Sequence, residues 1–159
     1  MCYFDNATSR TKLTVDAICH SLKDPKLGRV DLVVGIGFSG TLLLGAIHIQ
    51  SGIPFGAIRK DKNSTHSGRS VETGGIHDLR NVQRYVIIDD FTESGETLSN
   101  IMVEMSGHEC AGIILYQEAK FNRSDTLGEH PNTPLICLAC DIEEIVMMNR
   151  NENWEALCV

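Results

Sequence analysis

Residues 85 to 105 constrain the fold of this 159-residue chain more than any other stretch. Tyr85-Val86-Ile87-Ile88 is an unbroken β-prone run, which reads as a strand buried on both faces of a parallel sheet. Such a strand delivers the residues after it to the carboxyl edge of the sheet, where open α/β folds bind their ligands. Those residues are Asp89-Asp90, then Phe91 and the small, hydroxyl-rich Thr92-Glu93-Ser94-Gly95-Glu96-Thr97. Side chains alternate along a strand, so the two carboxylates point opposite ways and at least one faces the crevice. There it can accept hydrogen bonds from sugar hydroxyls or hold a hydrated divalent cation. The hydroxyls and backbone N–H groups of Thr92 to Thr97 open a helix, Gly95 to Met105, whose start suits an anion. A diol-binding element and an anion-binding element therefore lie one turn apart.

Further strand-like runs, Asp31 to Ile36, Pro54 to Ile58, Ala111 to Tyr116 and Pro134 to Ala139, alternate with helix-like ones, Lys12 to Leu22 and Gly40 to Gln50. That alternation predicts an α/β fold, a single doubly wound domain over residues 1–159 with a mainly parallel sheet and helices on both faces. An apolar content of 42% suffices for one core. The core spans about residues 29–141, with 1–28 and 142–159 left for a small hood or for dimer segments. Val71 to Leu79 reads as a small β excursion. A net charge of −7, with Lys and Arg scattered or gathered in one loop, excludes a general nucleic-acid surface. No apolar run is long enough to span a bilayer, and Met1 to Asn6 lacks a basic region followed by an apolar core. The expected location is the cytoplasm, with no membrane partner. The six cysteines are dispersed and read as reduced thiols. Cys137 and Cys140 have the C-x-x-C spacing without a second pair, so strand packing is the better reading.

Val33-Val34-Gly35-Ile36-Gly37-Phe38-Ser39-Gly40 holds a G-x-G-x-x-G spacing between strand and helix, which admits a dinucleotide phosphate or simply tight helix–strand packing. A dinucleotide site also wants an acidic residue closing the second strand, and Arg59-Lys60 stand there. An NADP-type reading survives this, but it leaves Asp89-Asp90 unexplained. The loop from Arg59 to Ser70 is too long and polar for an ordinary connection, and its cations suit a flexible lid that closes over a developing anion and excludes water.

The strand, the acidic pair and the turn Ser94-Gly95-Glu96-Thr97 together resemble the signature of the type I phosphoribosyltransferases: a hydrophobic strand, two acidic residues, two variable ones and a Thr-Gly-x-Thr-like loop. Ser94 replaces the commoner Thr, and Glu96 stands where many members carry Gly or Lys. The resemblance implies that Asp89 and Asp90 hold the ribose of phosphoribosyl pyrophosphate (PRPP), and Mg²⁺ by way of PRPP or water. It implies that Glu93, Ser94, Gly95, Glu96 and Thr97 wrap the 5′-phosphate. Pyrophosphate falls to Arg59, Lys60 and the turn Gly37, Phe38, Ser39 and Gly40, which in this family often contains a non-proline cis peptide. Lys62 and His66 on the loop, and Glu93 near the base, are the catalytic candidates; plain surface exposure stands open for His66 and Glu93. Phe91, Tyr116, Gln117, Phe121 and Trp154 are candidates for the base, Trp154 reading rather better as a core or interface residue.

The segment from Gly35 to Lys60 looks most like adenine enzymes, so a purine is the preferred acceptor, with orotate and 6-oxopurines close behind. The expected activity is pentosyl transfer from PRPP to a nucleobase with release of pyrophosphate, by a Mg²⁺-dependent homodimer. Two alternatives stay open: a regulator of the same fold that binds PRPP or nucleotide without turnover, and an NADP-dependent oxidoreductase built on Gly35 to Gly40.

Overall fold

The computed structural model describes residues 3–59, 70–90, 95–117 and 132–138. In chain order the elements are α1 (Tyr3–Ser21), β1 (Leu32–Ile36), α2 (Gly37–Leu42), α3 (Leu44–Ser51), β2 (Phe55–Ile58), β3 (Val71–Gly74), β4 (Arg84–Asp89), α4 (Glu96–Glu104), β5 (Glu109–Leu115) and β6 (Leu135–Cys137). The strands form one six-stranded sheet in the order β3-β2-β1-β4-β5-β6. All pairings are parallel except that of β3, which folds back antiparallel on β2 and is the β excursion expected after the long loop.

Alternation of side chains explains why the central strands read as continuous apolar runs. Val33, Val86, Ile88 and Ile114 face a layer made by α1 and α3, where Ile18, Leu22, Leu44 and Ile47 are buried. Val34, Ile87 and Ile113 face α4 through Leu98, Ile101 and Met105. Each such side chain contributes about 1.5–3 kcal/mol on burial, and the sheet is stable only with both layers in place. Among the described residues, the core therefore reaches back into the amino-terminal segment at least to Val15. Residues 142–159, the other part of the expected hood, lie outside the described residues.

Two helices depart from expectation. The first begins at Tyr3 and not near Lys12, because the apolar periodicity that marks a helix lies in its second half, where Val15, Ile18, Cys19 and Leu22 form a buried stripe. The single helix expected from Gly40 to Gln50 is two, broken at Leu43. The Thr41 hydroxyl donates back to the Gly37 carbonyl, and the Leu43 N–H donates to Thr41 O in place of the carbonyl four residues earlier. Back-bonding of this kind bends helices.

Between β4 and β5 the register slips: Tyr85 pairs with Cys110, but Val86 pairs with Gly112. Ala111 is the extra residue of a β-bulge, and it and the position of Gly112 both face the α1–α3 layer, the latter against Leu27.

At the amino edge of the sheet, Asp31 ties β1 to β4. Its Oδ2 accepts the backbone N–H groups of Gln83 at 3.0 Å and Arg84 at 3.1 Å, and its Oδ1 meets Arg29 Nε at 2.7 Å. Desolvation pushes its pKa up, but these two amides and the guanidinium outweigh it and hold the carboxyl below its ordinary 3.8. A carboxyl depressed on folding adds stability that is present above its unfolded value and lost as pH falls through its folded one. The substitution Asp31→Asn is expected to cost about 1–3 kcal/mol at neutral pH. It should also flatten the part of the acid limb below pH 3.8 that Asp31 provides, as measured by urea denaturation across pH.

Candidate active site

Strand β1 leads on one side to β2 and has β4 on the other, so the connections leaving the carboxyl ends of β1 and β4 part company there. A parallel sheet opens a crevice at such a point. On one flank, β1 passes straight into α2 through Gly37, whose φ of 68° is left-handed. A Cβ on Gly35 would lie 2.0 Å from the Gly40 carbonyl oxygen, and one on Gly40 would lie 3.3 Å from Ile88 O. The turn thus rests on both β1 and the end of β4, backbone against backbone, and only glycine at position 35 permits it. Gly40 is buried, Ser39 half-buried and Phe38 is 81% exposed. Every peptide bond of the turn is trans, which corrects the expectation of a cis peptide here.

On the other flank the acidic pair is unequal. Asp89 is 3% exposed and continues the alternation of Tyr85 and Ile87 toward the α4 layer. Its Oδ1 accepts the Asp90 N–H at 3.0 Å. Asp90 is half-buried and follows Val86 and Ile88 toward the opposite layer. The pair is anchored to the next strand through backbone: Asp89 O accepts from Tyr116 N at 3.1 Å, and Asp90 O from Gln117 N at 2.8 Å.

Tyr116, a candidate for the base, is also a structural link between two elements. Its side chain is only 8% exposed and belongs to the core beneath α3. Its hydroxyl donates to Ser39 O at 3.0 Å, joining the β5 end to the turn after β1. Burial, then the charges of Asp90 and Asp89, push its pKa up to about 12, so it stays a neutral donor. Gln117 is exposed.

Gly95 begins α4 with a left-handed φ of 74°, at the position where a Ser or Asp would ordinarily place a capping oxygen. The first-turn amides of a helix have no intrahelical carbonyl to meet and favour negative charge. Glu96 is exposed on this turn and Thr97 half-buried. At the end of β2, the Arg59 guanidinium pairs with Glu72 of β3, a partner invisible until β3 is seen to fold back. Arg59 N also donates to Ser70 O at 3.2 Å, which brings the two ends of the intervening loop together. Lys60, Lys62, His66, Phe91, Glu93, Ser94, Phe121 and Trp154 lie outside the described residues.

A family model described as the phosphoribosyl transferase domain matches residues 15–148, a span that holds both flanks of this crevice. The chain belongs to the phosphoribosyl transferase domain family. Among curated proteins, it is 29% identical over 87 residues to a hypoxanthine/guanine phosphoribosyltransferase of Methanobrevibacter ruminantium, covering 50% of this chain and 46% of that one. The chain thus matches about half the length of that relative. Among solved structures, orotate phosphoribosyltransferase from Aeropyrum pernix superposes with a TM-score of 0.58 at 16% identity, over 89% of this chain and 78% of that one. Adenine phosphoribosyltransferase from Leishmania tarentolae gives 0.55 at 22% identity, over 80% and 68%. These structures share the fold of the present domain.

Gly35→Ala is expected to destabilise the domain by at least about 2 kcal/mol, because a backbone oxygen cannot yield as a side chain can. Gly95→Ala, strained by its positive φ, should cost about 1–2 kcal/mol. Chemical denaturation of the two variants beside the parent checks both the direction and the order.

Proposed function

We propose that this domain transfers the 5-phosphoribosyl group of PRPP to a nucleobase, a purine by preference, with release of pyrophosphate. The observation that carries the reading is the placement, at one switch point of the sheet, of an acidic pair, a glycine-opened helix start and a glycine-built turn. Ribose hydroxyls suit the acidic pair, with Asp90 the more accessible carboxylate. The 5′-phosphate suits the residues from Glu93 to Thr97, of which Glu96 and Thr97 open α4, and pyrophosphate suits Gly37 to Gly40 with Arg59 and Lys60. In the reaction a ring nitrogen of the base bonds to C1 of the ribose while the bond from C1 to pyrophosphate breaks, the leaving group taking the electron pair. The proton on the attacking nitrogen passes to a base, for which Glu93 is the candidate. Lys62 and His66 would close over the departing charge. Family membership favours this chemistry over the nicotinamide-dependent alternative.

The donor set suits Mg²⁺ of a particular kind. Among the described residues, no group of three or more His, Cys, Asp or Glu side chains is arranged to hold a metal. Asp89 and Asp90 supply hard carboxylate oxygens, which suit an ion that arrives largely hydrated and bound to a diphosphate. Such an ion supplies charge neutralisation on the pyrophosphate. The purine preference rests on the likeness to a hypoxanthine/guanine enzyme and on the sequence from Gly35 to Lys60. A homodimer and a cytoplasmic location complete the proposal; among the described residues no helix is long and apolar enough to cross a membrane.

Calorimetric titration with PRPP and Mg²⁺, followed by pyrophosphate release with hypoxanthine, guanine, adenine and orotate, tests the reading. Release with a purine is expected. Release with orotate alone would move the acceptor, and PRPP binding without release from any base would make the domain a regulator. Asp90→Asn should weaken PRPP binding about tenfold or more while changing stability by about 0.5 kcal/mol or less. Asp89→Asn should lower both binding and stability, since Asp89 is buried and accepts a backbone N–H.

A further inference from the structure

The Tyr116 hydroxyl touches one flank of the crevice and lies in the field of the other. The break at Leu43 diverts the N–H that an unbroken helix would send to Ser39 O, and the Tyr116 hydroxyl donates to that carbonyl at 3.0 Å. The same side chain stands beside the acidic pair. Continuing the register of Ile88 with Ile114 and Asp89 with Leu115 sets Asp90 next to Tyr116, on the layer that also holds Val86 and Ile88. The electrostatic influence of Asp90 and Asp89 on its phenol agrees with that placement. Backbone bonds from Tyr116 N to Asp89 O and from Gln117 N to Asp90 O hold the ring's own main chain to the strand end. A short path of contacts thus runs from the turn, through one phenol, into the acidic pair.

We propose that Tyr116 is a positioning residue, whose hydroxyl holds the Gly37–Gly40 turn at a fixed distance and orientation from Asp89 and Asp90. The inference rests on the proposed function, in which the turn takes pyrophosphate and the pair takes ribose of one substrate molecule. A ligand that must be gripped at both ends binds well only when the two grips are held in register, and ordering them at the moment of binding weakens affinity. Tyr116 does not touch the nucleobase in this scheme. The hydroxyl should therefore govern affinity for PRPP and leave affinity for the base alone, a division that a purely packing role of the ring would not produce.

The experiment compares the parent, Tyr116→Phe, and the protein carrying 4-aminophenylalanine at 116, which keeps a donor where the hydroxyl was. Thermal melting, PRPP affinity by calorimetry, and the KM values for PRPP and for base are read on each. Tyr116→Phe is expected to stay folded and melt only about 2–4 °C below the parent, raise Kd and KM for PRPP about tenfold as one hydrogen bond is lost, and leave KM for the base unchanged. The amino variant should recover most of the PRPP affinity. Unchanged PRPP affinity in Tyr116→Phe would overturn the inference, as would equal rises in both KM values. Should Tyr116→Phe fail to fold, the amino variant decides: PRPP affinity about tenfold or more below the parent's, with the donor restored, would overturn it as well. A parent protein that binds no PRPP at all would sink the proposed function itself, a result distinct from any difference among the three proteins.

Discussion

Parallel pairing of β1 with β4 is the constraint on which the crevice depends. With β2 on the far side of β1, the chain leaving β1 turns one way and the chain leaving β4 turns the other, so no crossover roofs the gap between them. Closing that gap to the width of a small ligand requires backbone to meet backbone. Gly35 and Gly40 provide the contact, and the position of Gly40 reaches the Ile88 carbonyl, so the turn leans on the very strand that carries the acidic pair. Side chains at those glycines would spread the two flanks and separate groups that act on one substrate.

The two edges of the sheet use carboxylates in opposite ways. At the amino edge Asp31 receives two backbone amides and a guanidinium, and its negative charge is consumed in joining β1 to β4. At the carboxyl edge the buried Asp89 accepts its neighbour's amide among its contacts, while Asp90 stands half-buried beside a neutral phenol. Satisfied charge stabilises the scaffold at one end. Charge held near the surface of the crevice at the other end can be met by incoming hydroxyls or a hydrated cation, as the proposed function requires.

Much of this was legible in the sequence because parallel strands buried on both faces leave plain apolar runs, and Leu32–Ile36, Phe55–Ile58 and Arg84–Asp89 stand close to where those runs predict them. What escaped depends on contacts between distant residues. The first half of α1 has no apolar stripe in its sequence to betray it. The break at Leu43 follows from a hydroxyl bonding back to a carbonyl, which no periodicity records. Arg59 is plain as a cation, but its pairing with Glu72 exists only once β3 has reversed onto β2. Asp89 and Asp90 are obvious as a pair; their inequality is not, because it comes from which layer each faces. Tyr116 is obvious as an aromatic near the site, but its burial under α3 and its bond to Ser39 O are not.

The placement of Tyr116 comes from an irregularity. Cys110 shares the α4 layer with Tyr85, and in a regular strand the residues facing α4 would be those an even number of positions from Cys110, Tyr116 among them. The bulge inserts Ala111, so the residues beyond it exchange layers: Ile113 and Leu115 turn to α4, while Ile114 and Tyr116 turn to α1 and α3. Only on that side can the phenol reach Ser39 O. A bulge several residues back along the strand, far from any charged group of the crevice, thus decides whether the turn after β1 has a partner. Glycine at 112 belongs to the same device, since a Cβ there would lie 2.3 Å from Leu27 and 3.2 Å from the Pro134 carbonyl. The distortion has room to exist because position 112 carries no side chain, and its effect at the crevice is a reversal of parity transmitted rigidly along the strand from Gly112 to Tyr116.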